Sequence, residues 1–277
     1  NLTYSDIPPS VIDHIKLCLM DTLGCGIFGS TLPWGRILAK FVRRLGGKKE
    51  STLLGMRSKV SAPNAALANG TMIHGFELDD IHRRSIIHPG SVTLPAALAV
   101  GESQKCNGKD FLTALVVGYE VGTRVGMCLG ASHLHRGYHP TGTHGTFAAA
   151  VAAGKIIGLD EEKMVHAMGI AGTQAAGLMA AQYSAMVKRM HAGRASQSGI
   201  YGALLAKMGL TGIVDILEAD YGGYFKVMGE ASDPDQLTRK LGEDYEVLNV
   251  GFKKYSCCGS NFTSLEALSQ IMKEHDL

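Results

Sequence analysis

Charge is scarce in this chain, and what there is nearly cancels. Charged residues make up 19% of the 277, and 27 Lys and Arg stand against 25 Asp and Glu. No basic run interleaved with aromatics occurs, so nucleic acid is not an expected partner. Gly and charged residues break every apolar run before ~20 residues, so no membrane span is expected. The opening NLTYSDIPPSVIDHIKLCLMD lacks the charged-then-apolar layout of a signal peptide. Six scattered cysteines form no CxxC, which points to reduced thiols and a cytoplasmic location. Neighbouring Cys257 and Cys258 are poor disulfide partners, and no second Cys pair supports them as metal ligands. Phosphate-cradling loops are missing too: there is no GxxxxGK[ST], and no GxGxxG follows a strand. GxSxG is absent, which excludes an α/β-hydrolase nucleophile. No repeat of about 20–50 residues is evident.

What is present is helix. Residues 11–29 repeat apolar positions at three- and four-residue intervals, with Ser10 as the expected N-cap. Further helices are expected over 64–73, 95–104 (led by Pro95), 111–128, 146–157, 161–171 (capped by Asp160) and 195–208. Several lack a broad polar face, so they should be buried in a large bundle or at a dimer interface. Gly within a helix costs up to about 1 kcal/mol against Ala. With 35 glycines, tight helix–helix packing must offset that cost. Near residue 230 the texture turns polar. YEVLNVGFKKY alternates like a strand, and NFTSLEALSQIMKEHDL reads as an amphipathic helix. The expected fold is therefore mainly α: a large all-helical domain over residues 1–246, then the start of a smaller α+β lid domain over 247–277. An isolated strand is not stable by itself. It either pairs elsewhere in the chain or belongs to a domain whose remainder lies outside it.

Four polar islands interrupt the apolar helices. The first is HGFELDDIHRRSIIHPG, with Glu77, Asp79, Asp80, His82, Arg83, Arg84 and His88. The second is HRGYHPTGTHG, with His135, Arg136, His139 and His144. The third, YSAMVKRMHAGR, holds Lys188, Arg189, His191 and Arg194; the fourth, FKKYSCC, holds Lys253, Lys254 and Tyr255. Each island has a plainer use: a histidine in a Gly/Pro-rich loop is usually solvated, Asp79–Asp80 could cap a helix, and Lys188–Arg189 could simply face water. Because the islands break apolar helices, their side chains are expected to line a cavity between helices instead. Together they suit an anionic polycarboxylate and proton transfer at carbon. A base poised near neutral pH is usually His. Fixed cations meet the developing charge, and Lys or Arg anchor the other carboxylates. His88 and His139 each precede a Pro, which stiffens the backbone that aims the imidazole. A metal set of His82, Asp79 and His88 is a looser pattern.

These segments resemble the MmgE/PrpD family, which includes 2-methylcitrate dehydratase and cis-aconitate decarboxylase. HGFELDDIHRRSIIHPGSVTLPAALAVGE is similar to its H-x-x-D-x-D-D … H-P … P-A-x-x-A segment, and SAPNAALANGTMIH to the helix before it. RGYHPTGTHGTFAAAVAAGKIIGLD, VKRMHAGRASQSGIYGALLAKMGLTG and FKKYSCCGSNFTSLEAL follow in the family's order. The resemblance implies a cofactor-independent, metal-free enzyme: a lyase, dehydratase or decarboxylase, acting on a small di- or tricarboxylate. Epimerisation of a dicarboxylate in the same cleft, or a catalytically silent carboxylate-binding dimer, are the alternatives. It further implies a homodimer, with the site between helical domain and lid. By position, Glu77, Asp80, His88 and His139 become the catalytic candidates. Lys188 and Lys253 become carboxylate binders, with Arg83 and Arg84 as helpers. The chain departs from the family pattern at Glu77, where Asp is common, and at Ile81, where Thr or Ser is common. Ser256 stands where the family has Pro, and no His appears near Asn261 and Phe262.

Overall fold

A computed structural model describes residues 2–183 and 185–277. Helix α1 (Pro9–Gly29) leads to α2 (Pro33–Leu45) and a short antiparallel hairpin, β1 (Ser51–Thr52) with β2 (Lys59–Val60). Then come α3 (Ala62–Ile73), β3 (Ile81–His82), α4 (Pro89–Gln104), α5 (Gly108–His135), α6 (Pro140–Ile156), α7 (Glu161–Gly172) and α8 (Val187–Lys207). The chain closes through α9 (Tyr224–Met228), β4 (Val250–Gly251) and α10 (Phe262–Glu274). The fold is mainly α, as expected.

Helices α3, α4, α6 and α8 form the centre, with α5 and α7 packed outside α6 and α1 across α3. Small residues set their spacing. A Cβ on Gly193 of α8 would lie 2.0 Å from the Leu67 carbonyl of α3, and one on Gly70 of α3 would lie 2.7 Å from Gly193 Cα. The two backbones touch directly, which brings the start of α8 against the end of α3. Helix α5 corrects one expectation: it is long and apolar enough to cross a membrane by length and composition. However, 83% of its apolar window is buried, so its side chains serve the core.

Several boundaries move. Ser10 lies inside α1, which begins at Pro9 after Pro8. Pro95 sits within α4, whose first residue is Pro89. Helix α5 runs on past residue 128 through a non-helical kink at Gly130. Asp160 caps α7 as expected, accepting from the Lys163 N–H at 2.9 Å. The alternating run around residue 250 yields only the two residues of β4. The preceding Glu246–Asn249 is a 3-10 turn, because side chains hold it there. The Val247 N–H donates to Glu120 at 2.9 Å, and the Glu246 carboxylate meets His82 Nε2 at 3.0 Å. β4 pairs antiparallel with β3, Ile81 opposite Gly251 and His82 opposite Val250. Residues 250–256 therefore lie across the first polar island. Helix α10 has no buried residue.

Candidate active site

Two His-Pro pairs open two central helices. His88 is the N-cap of α4 with Pro89 at N1, and His139 is the N-cap of α6 with Pro140 at N1. Proline suits N1 because its missing N–H would find no helical partner there. The two starts are tied together: the His88 N–H donates to Thr141 Oγ1 at 3.2 Å. His74 ends α3 and places its ring 4.9 Å from that of His88 and 5.4 Å from that of His139. His191, one turn beyond Lys188 on α8, brings its Nδ1 within 3.1 Å of His139 Nδ1. Four imidazoles thus form one chain of contacts.

Carboxylates set their states. Asp79 is wholly buried, with Oδ2 2.7 Å from His74 Nδ1 and 3.5 Å from His88 Nδ1. Burial alone would raise its carboxyl, but His74 and His88 hold it well below the usual range. His88 Nδ1 lies 2.8 Å from the Asp80 carbonyl oxygen. A carbonyl only accepts, so Nδ1 carries the proton and neutral His88 presents a bare Nε2. Burial pushes the His88 imidazole down to about 4, so it is neutral at pH 7. Burial and the neighbouring His74, His191 and Lys188 likewise push His139 well below its ordinary value.

Glu77 gathers the cations. Its backbone is left-handed, φ 63°, which turns the side chain back toward α8. Its carboxylate meets Lys188 and Arg189 at the start of α8, and Lys253 Nζ at 3.7 Å from the 250–256 segment. Lys253 also donates to the Glu77 carbonyl at 2.8 Å. Burial would raise the Glu77 carboxyl; His74, Lys188 and Arg189 outweigh it and hold the carboxyl far below its usual range. The result is a shielded cluster. His139 is 4% exposed and the His88 and Glu77 side chains 12% and 16%. Three cations stand near His88 and His139, whose imidazoles burial keeps neutral. Such a cluster has the groups to bind carboxylates and exchange protons with a bound carbon acid.

Of the residues expected from sequence, Glu77, His88, His139, Lys188 and Lys253 meet here. Three do not. Asp80 turns its carboxyl away, accepting from Tyr119 OH at 2.7 Å and the Gly90 N–H at 2.9 Å. Burial pushes it up to about 8, so it caps α4 as a neutral acid. Arg83 is exposed. Arg84 is exposed too, and pairs with Glu246 at 3.3 Å and Gln236 at 3.1 Å, outside the cluster. The left-handed Ile86 (φ 55°) closes the turn that points both arginines outward. In the second island His135 and Arg136 are exposed, while His144 is buried against Tyr224 OH at 2.9 Å. Cys257 and Cys258 are free thiols.

Sequence reading missed His74 and the part played by His191. His74 stands five residues before Asp79, a spacing with no helical or strand period. His191 was findable, because an i, i+3 step from Lys188 puts both on one helix face. The looser metal set also changes: His82 bonds Ser85 and Glu246 instead. His74, Asp79 and His88 are close enough to share an ion. Yet His74 and Asp79 stand 2.7 Å apart, a hydrogen-bond distance. Two ligands at about 2.0–2.1 Å from a tetrahedral zinc sit wider than that. The trio is built as a hydrogen-bonded set. A separate groove of about 650 Å³ lies beside it, lined by Leu17, Met20, Phe28, Phe76 and Phe252 and by Asp21. It is apolar and open, and the histidines do not line it.

The chain is similar in sequence to known proteins. The family model for the MmgE/PrpD N-terminal domain matches residues 1–237. The cis-aconitate decarboxylase-like protein oryM of Aspergillus oryzae is 37% identical over 288 aligned residues, covering 99% of this chain and 60% of that protein. Cis-aconitate decarboxylase of Aspergillus terreus is 33% identical, covering 99% of this chain and 59% of its own length. The human cis-aconitate decarboxylase is 33% identical, with 98% and 57% covered. The chain thus spans about 60% of the curated relatives it matches.

Proposed function

The chain belongs to the MmgE/PrpD family, and on that premise we propose that its protein is a lyase acting on a small di- or tricarboxylate. The relatives' names favour decarboxylation of cis-aconitate over dehydration of 2-methylcitrate. The observation that carries the reading is the meeting of His88 and His139 across His74, and of Lys188 and Lys253 on Glu77, from four distant parts of the chain.

In this reading Lys188, Lys253 and Arg189 bind the substrate carboxylates that stay. Glu77 holds those cations together until substrate arrives. When the leaving carboxylate departs as CO2, its carbon–carbon bond breaks. The electron pair moves across the neighbouring double bond, and the far carbon takes a proton from an imidazole. His139 and His88 are the acid and base candidates, both kept neutral by burial. The fixed cations offset charge as it spreads toward carbon. No metal ion or organic cofactor has a part in this scheme. The protein is proposed to be cytoplasmic and homodimeric, and residues 247–277 to open the lid domain that covers the site.

The test is to mix the full-length protein with cis-aconitate, 2-methylcitrate and iminodisuccinate in D2O and follow each by NMR. Loss of CO2 or water supports a lyase. Deuterium at carbon without net conversion would shift the reading to an isomerase. Binding without exchange would reduce the protein to a silent carboxylate binder. His139→Ala should lower turnover roughly 100-fold or more; near-normal turnover removes His139 from the chemistry.

A further inference from the structure

His139 and His191 share a contact that restricts both. Their Nδ1 atoms are 3.1 Å apart. Two bare nitrogens would repel and two N–H groups would clash, so one donates and the other accepts. Space for the pair is cut out by glycine. A Cβ on Gly142 would lie 3.1 Å from His191 Cβ, and one on Gly177 would lie 3.2 Å from His191 Nδ1 and 3.3 Å from His139 Cβ. Gly177 also anchors His139, its carbonyl accepting the His139 N–H at 3.0 Å.

The direction of the bond follows from burial. His139 is buried, while His191 is only half-buried. Burial and the nearby His74 and Lys188 push both imidazoles below their ordinary value, His139 well below it, so as pH falls the wetter ring is the first to take up an extra proton. Once it does, both its nitrogens are donors, and His139 Nδ1 can only accept. His74 and Lys188 face both rings, and His88 faces His139; burial, the largest influence on each ring, keeps the drier one neutral. A neutral His139 that accepts at Nδ1 holds its one proton on Nε2.

We propose that His191 is a positioning residue that fixes the tautomer of His139, placing its proton on Nε2. His88 is fixed in the opposite sense by the Asp80 carbonyl, with its bare Nε2 ready to accept. The two histidines then enter the reaction as a preset donor and a preset acceptor. This role rests on the reading of His139 as an acid–base group, whereas the tautomer itself does not.

The experiment is side-chain 15N NMR on the full-length protein without substrate, with His139 assigned by comparison with His139→Gln. The expected result is a protonated Nε2 and a bare Nδ1 on His139. His191→Ala should shift that pattern toward a mixture of tautomers and lower kcat about tenfold, with KM within about twofold. His191→Asn can still offer an N–H near the same place, and should recover the Nε2–H tautomer and most of kcat. A proton on His139 Nδ1 in the native protein would overturn the proposal. So would an unchanged His139 spectrum in His191→Ala, or equal loss of kcat in the Ala and Asn variants. If instead the tautomer is as expected but His139→Ala turns over normally, the catalytic reading fails and the positioning result stands.

Discussion

Removing the negative charge of Glu77 tests the site most directly. Glu77→Gln keeps the shape and removes the charge. Three cations, Lys188, Arg189 and Lys253, then face each other with no counter-ion between them. Breaking a buried ion pair by removing one partner costs about 3–5 kcal/mol. The Glu77 side chain is 16% exposed, so the low end applies, about 3 kcal/mol. At about 2 °C per kcal/mol for a chain this long, Tm should fall by about 6 °C. The same change opens an anion site. A tricarboxylate at roughly a hundred times its Kd stabilises by about 2.7 kcal/mol. It should therefore restore about 5 °C to the variant. In the native protein the ligand must displace Glu77 first, so its stabilising effect at equal concentration should be smaller. Differential scanning fluorimetry with and without cis-aconitate reads both effects. A Tm drop under about 1 °C, or equal ligand shifts in the two proteins, would refute the account of Glu77 as the resident counter-ion.

The remaining predictions concern binding, protonation and packing. Lys188→Ala should raise the KM for a tricarboxylate about 10- to 100-fold while changing kcat far less; an unchanged KM would count against its anchoring role. Asp80→Asn should gain stability relative to the native protein as pH rises. The native acid has its folded value raised to about 8, against about 3.9 when unfolded. Its penalty therefore grows through that window, by about 1.4 kcal/mol per pH unit at most, and levels off above it. Urea unfolding at pH 5, 6.5 and 8 gives the slope, and a difference independent of pH would contradict a neutral Asp80. Gly193→Ala forces a Cβ to 2.0 Å from the Leu67 carbonyl and should destabilise by about 3 kcal/mol; a shift under about 1 kcal/mol would mean that α3 and α8 separate easily.

The helices were legible because apolar residues at helical spacing leave few other folds. Their starts were less so. In α4 and α6 the helix begins at the proline after a histidine, and Gly, Ser and Thr fill the first turns. Locally those residues read as loop, and only burial against neighbouring helices makes them helical. Helix α2 was not read at all, although its stretch PWGRILAKFVRRL is amphipathic. His88, His139, Lys188 and Lys253 stood out as charge or imidazole set in apolar surroundings. Arg83 and Arg84 stood out for the same reason and lie outside the cluster. Proximity in sequence could not show that the turn at Ile86 faces them outward. The His74–Asp79 bond and the His139–His191 contact depend on how α3, α6 and α8 converge, which no local pattern encodes.

The pairing of β3 with β4 has a mechanical consequence. Lys253 lies two residues beyond β4, and Ser256 Oγ donates to the Phe76 carbonyl. One strap of backbone therefore carries a third of the positive charge around Glu77 and also leads into α10. If the strap peels from its bed, that ammonium leaves with it, so the docking of this segment and the charge balance at Glu77 are set by a single movement.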